Sequence, residues 1–98
     1  MQTAEEILGV VLDAVREYNR QEGEVRLAPS PETPLIGGGS YFDSVAAVVL
    51  ASILEERIER RYNQTVSVLD VFGAAGTDYL DLGTLADRVA RKMSRQVA

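Results

Sequence analysis

Pro34-Leu35-Ile36-Gly37-Gly38-Gly39-Ser40-Tyr41-Phe42-Asp43-Ser44-Val45-Ala46-Ala47-Val48-Val49-Leu50-Ala51-Ser52-Ile53-Leu54-Glu55-Glu56 is the stretch on which the fold turns. Its glycines end any regular element before it, Asp43 and Ser44 are both preferred helix caps, and neither Gly nor Pro recurs until Gly73. The spacing predicts a helix over about 44–62, with Val45, Val48, Ala51, Leu54, Ile58 and Tyr62 on one face. Glu55, Glu56, Arg57, Glu59, Arg60 and Arg61 crowd its second half. The first half differs, because every residue from Val45 to Ala51 is apolar. A helix that starts hydrophobic all round is either buried on all sides or lends part of its surface to a partner.

Upstream, Thr3 and Glu6 have capping-box spacing and open a helix over about 3–21, with Leu8, Val11, Leu12, Val15 and Tyr18 as its stripe. Gly23 is the expected stop, and Gly9 inside the helix suggests a close backbone approach. Residues 23–43 hold all three prolines, so a long loop without helix or strand is expected, pinned to the core by Leu27, Leu35 and Ile36. Downstream, Thr65-Val66-Ser67-Val68 reads as an extended connector. A short helix over about 68–72 follows, with Ser67 as its cap and Gly73 as its end. Asp81 caps a last helix over about 82–95 with a Leu82, Leu85, Ala86, Val89 and Met93 stripe. Arg88, Arg91, Lys92 and Arg95 cluster near its end, where cations suit the helix dipole. The reading is all-α: one domain over 1–98, three main helices plus one short helix, and a long first loop.

Ninety-eight residues allow one core and an expected radius of gyration of about 13 Å. With no cysteine and no histidine, the chain has no disulfide, no thiolate or imidazole metal ligand, and no Ser-His or Cys-His catalytic pair. An enzyme working with carboxylates alone would need a sizeable cleft, so the chain is expected not to be an enzyme. The net charge of -5 is uneven: residues 1–44 carry eight acids and three bases, the remainder seven of each. That balance argues against nucleic acid as a partner. No apolar run approaches the ~20 residues of a membrane span, and Met1-Gln2-Thr3-Ala4-Glu5-Glu6 lacks the cationic start of a secretion signal, so a cytoplasmic monomer is expected.

Three glycines before a helix suggest a phosphate-binding loop, but no Lys-Ser or Lys-Thr follows and no G-x-G-x-x-G spacing is present. A different pattern fits. A first helix is followed by a long loop, Asp43-Ser44-Val45, then a helix carrying Leu54-Glu55-Glu56, and a closing Asp81-Leu82-Gly83-Thr84-Leu85-Ala86-Asp87 segment. In that order the chain resembles the acyl carrier proteins, whose fold is a small bundle of this kind.

The resemblance implies that Ser44 receives a covalent 4'-phosphopantetheine from coenzyme A, making the chain a phosphoprotein. It also implies that Asp43 takes part in recognition by the phosphopantetheinyl transferase. The arm's thiol would hold an acyl or aminoacyl thioester, as in fatty acid or polyketide biosynthesis, delivered and collected by loading and transferring enzymes. The missing cysteine and histidine then become a division of labour, because the reactive group arrives with the cofactor. The carried group stays open among fatty acyl, polyketide, hydroxy acid and amino acid.

The chain departs from the family where docking acids usually stand, with Ala46, Ala47 and Val49 early in the second helix and Val45 in place of the common Leu. A specialised stand-alone member is therefore expected. Docking falls either to Glu55, Glu56 and Glu59 or to an apolar surface of Val45, Ala46, Val49 and Ile53. The alternative reading is an unmodified helical interaction module that uses the same apolar helix start.

Overall fold

Helix caps set the frame of the computed structural model, which describes residues 3–36, 43–74 and 79–97. Helix α1 spans Ala4–Glu22, strand β1 Pro34–Ile36, helix α2 Ser44–Tyr62, helix α3 Val68–Ala74, strand β2 Leu80–Asp81 and helix α4 Leu82–Val97. The Thr3 hydroxyl accepts the Glu6 N–H at 3.1 Å, so the Thr3 half of the capping box is formed. Asp43 opens α2, and Asp81 opens α4 by accepting the Thr84 N–H at 2.7 Å. Gly23 closes α1 at a φ of 77°, a left-handed conformation that glycine adopts without strain. Asn63 closes α2 in the same conformation, the other residue type that tolerates it.

Helix α1 packs against α4 and α2, and α3 bridges α2 and α4. One core results, built from Ile7, Val11 and Val15 of α1, Leu50, Leu54 and Ile58 of α2, and Leu85, Val89 and Met93 of α4. A radius of gyration of 12.4 Å agrees with a single small bundle. Among the described residues no helix is long and apolar enough to cross a membrane.

Four expectations are corrected. The stretch 23–43 is not all loop: Pro34–Ile36 pairs antiparallel with Leu80–Asp81, burying Leu35 and Leu80. This pairing comes from distant backbone rather than from strand-forming sequence. The Thr33 and Pro31 carbonyls also accept the N–H groups of Leu82 and Gly83, at 3.0 and 2.9 Å. At Gly83 a Cβ would stand 3.2 Å from the Pro31 carbonyl oxygen, so a side chain there would require the loop to give by a few tenths of an ångström where it lies on the start of α4. Gly9 has no such close approach, since a Cβ there would meet nothing within 4 Å.

The third correction is the phase of α2. Val45 and Val48 are 71% and 48% exposed, and burial begins at Leu50 and Ala51. Nine residues before Leu54 is about two and a half turns, so Val45 points away from the core that Leu54 enters. Fourth, α3 does not end at Gly73 but runs on to Ala74, and the N–H of Val68 at its start donates to the Glu55 carboxylate at 2.8 Å. The other anchors hold, with Leu27 and Leu35 buried and Ile36 packed against the core.

Among the described residues Asn19 is the buried polar one, 8% exposed, and it ties the first loop to α1. Its amide donates to the Leu27 carbonyl at 2.8 Å and its oxygen accepts the N–H groups of Arg26 and Leu27 at 3.0 and 3.1 Å. All three loop groups turned toward it are thereby satisfied.

Candidate functional site

The start of α2 is built from the backbone outward. Asp43 is extended, at φ -98° and ψ 179°, and its carboxylate accepts the Ala46 N–H at 2.8 Å while its carbonyl accepts the Ala47 N–H at 2.9 Å. Helix geometry leaves the N–H groups of Ser44 and Val45 without intrahelical acceptors. No acid follows in the first turn, so within α2 it is the Asp43 cap that faces the positive end of the helix dipole. Ser44 is exposed at this end. Gly37-Gly38-Gly39 and Ser40-Tyr41-Phe42, also read as part of this constellation, lie outside the described residues.

Tyr18 of α1 stands within electrostatic reach. Its phenol pKa is pushed above the ordinary tyrosine value first by burial, then by the Glu22 carboxylate, with Arg26 opposing and Asp43 adding to the rise. A raised pKa in the fold means that this contribution to stability is intact below the unfolded value of about 10 and is lost as pH rises through the folded value. We expect Tyr18→Phe to flatten the alkaline decline of the denaturant midpoint as pH rises above the unfolded tyrosine value of about 10. An unchanged slope would contradict this assignment.

The six partner-facing residues expected from sequence do not form one surface. Val45 is exposed, whereas Ala46, Val49 and Ile53 are half-buried and pack against the core. Glu55 is engaged with α3 through Val68, and Glu56 is exposed and paired with Arg60 at 2.7 Å. Glu59 is exposed.

Val48, read from sequence as core, joins Val45 instead. The helical repeat places Val45, Val48, Ser52 and Glu55 along one line of α2, and Glu55 reaches α3, so the two valines stand on the α3 side. Leu69 of α3 is exposed as well, at 42%. The signal for Val48 lay in the phase set by Leu50, Leu54 and Ile58, which the all-apolar run concealed.

This arrangement can do limited chemistry by itself. A serine hydroxyl is a weak nucleophile without a base, and the carboxylate of the preceding residue, Asp43, is already turned to the Ala46 N–H. The site can present a hydroxyl and favour an anion next to it, while activation of the hydroxyl has to come from another protein. No family model, no curated protein and no solved structure matches this chain.

Proposed function

We propose that the protein is an acyl carrier that takes a 4'-phosphopantetheine on Ser44. The observation that carries this reading is the exposed Ser44 at an acid-free helix start behind the Asp43 cap, in a small helical bundle. The residues present fit the group. The hydroxyl is reachable, and a phosphodiester on it would lie at the helix end whose Ser44 and Val45 N–H groups have no intrahelical acceptor, a contact worth roughly 0.3–1 kcal/mol at an exposed helix end. When bound, the arm supplies a thiol that holds an acyl or aminoacyl group as a thioester.

The remaining roles belong to the chain. Asp43 holds the first turn in place, so the Ser44 hydroxyl is offered from a rigid helix end to the transferase. In the transfer, the Ser44 oxygen bonds to the β-phosphorus of coenzyme A, its proton goes to a base of the transferase, and 3',5'-adenosine bisphosphate leaves. Val45 and Val48 flank the attachment point as an apolar shoulder for the enzymes that load and unload the arm. Mass spectrometry of the protein isolated from its host tests the reading and reads the cargo directly: an arm on Ser44 is expected, and uniformly bare serine contradicts it.

The exposure of Val45 and Val48 favours a second reading, an unmodified interaction module. Under the carrier reading, Val45→Asp with Val48→Asp lowers the rate of acyl loading at least tenfold and leaves the melting temperature within a few degrees, because neither side chain enters the core. A partner that binds bare Ser44→Ala as tightly as the wild type would favour the module. Val49→Asp is a poorer probe, since Val49 packs against the core and its loss of stability would mask any docking effect.

A further inference from the structure

The chain has ten cations against fifteen acids, so every arginine and lysine has acids to spare. Most are matched. Arg16, Arg20, Arg26, Arg57, Arg60, Arg91 and Lys92 each pair with a carboxylate, and Arg61 lies over the Tyr62 ring at 5.8 Å. Among the described residues, Arg88 and Arg95 make neither kind of contact, and they stand two turns apart on one face of α4. Arg91 and Lys92 lie between them, completing an i, i+3, i+4, i+7 stripe about 10 Å long. The stripe edges a cleft of about 280 Å³ between α3 and α4, closed on the other side by Asp70 and Val71. Around the far side of α4, Arg91 and Arg95 also line an open groove of about 460 Å³ with Ala4 and Ser94.

We infer that this face of α4 is a docking surface for a carboxylate-rich helical segment of a partner protein. Carboxylates at the same helical spacing meet the stripe in register, and each arginine can donate two parallel N–H groups to one carboxylate. Two features favour protein over nucleic acid. Arg88 and Arg95, which have no acid partner among the described residues, can each take a discrete carboxylate, whereas Asp87 and Asp70, paired with Arg91 and Lys92, break the positive face into patches too short for a continuous phosphate backbone. An anionic membrane is disfavoured because, among the described residues, α4 keeps its large apolar side chains in the core and offers none to insert beside the cations. The surface is separate from the α2 start and does not depend on modification of Ser44.

The test is a titration of the isotope-labelled full chain with a synthetic helix bearing glutamates at i, i+3, i+4 and i+7, and with the same helix bearing glutamines. The glutamate helix is expected to shift the amides of Arg88, Arg91, Lys92 and Arg95, with affinity falling as salt passes about 0.1 M, where the screening length is ~10 Å. Arg88→Glu with Arg95→Glu should weaken binding at least tenfold at an unchanged melting temperature, and Ser44→Ala should leave it intact. The inference is overturned if the glutamate helix moves none of these amides or binds the double variant equally well. It is likewise overturned if the glutamine helix, anionic phosphatidylglycerol vesicles, single-stranded DNA or a second copy of the chain binds this face more tightly.

Discussion

Leu54→Ala is expected to remove about 2–5 kcal/mol of stability. Leu54 is fully buried at the middle of α2, within the core shared by all three long helices. Truncation loses the transfer free energy of the side chain and leaves a cavity that rigid helices on either side cannot close. A domain of this size has only about 5–15 kcal/mol in total, so the variant should lose roughly 10 °C or more of melting temperature. A chemical-denaturation midpoint within experimental error of the wild type would show that the α2 face is wrongly placed.

Asn19→Ala should cost about 2–3 kcal/mol by a different mechanism. Its side chain makes three hydrogen bonds to the backbone of Arg26 and Leu27, and removal leaves two donors and one acceptor without their partner. Leu27 follows those groups into the core, so the loss extends to apolar burial at the head of the loop. Hydrogen exchange should accelerate at Leu27 first. Asn19→Asp separates the contributions, because a carboxylate still accepts both N–H groups but faces the Leu27 carbonyl without a proton to donate. Equal stability of Asn19→Ala and wild type would mean that the loop is held by Leu27 packing alone.

Local chemistry was legible in the sequence, and distant contacts were not. Thr3, Asp43, Asp81 and Gly23 act through backbone groups a few positions away, so their spacing predicts the helix ends that form. The β1–β2 pairing joins backbone more than forty positions apart through a segment that starts with proline, and no periodicity announces it. Asn19 reads as one more polar residue of α1 until Arg26 and Leu27 fold back onto it. Glu55 reads as a docking acid, yet its carboxylate holds the first N–H of α3.

The candidate site divides in the same way. Asp43 and Ser44 are adjacent in sequence, and the cap that Asp43 forms fixes the exposed place of Ser44. The surface around them depends on helical phase, which an unbroken run from Val45 to Ala51 does not reveal. Val48 therefore moves from expected core to surface, and Val49 and Ile53 toward the core.

The carrier reading rests on one oxygen atom. Intact-mass measurement after incubation with coenzyme A, Mg²⁺ and a broad-specificity phosphopantetheinyl transferase tests it most directly. The predicted result is addition of a single phosphopantetheine to the wild type and none to Ser44→Ala, with both proteins folded by circular dichroism. A wild type that stays unmodified with several such transferases, or a Ser44→Ala variant that is still modified, would contradict it.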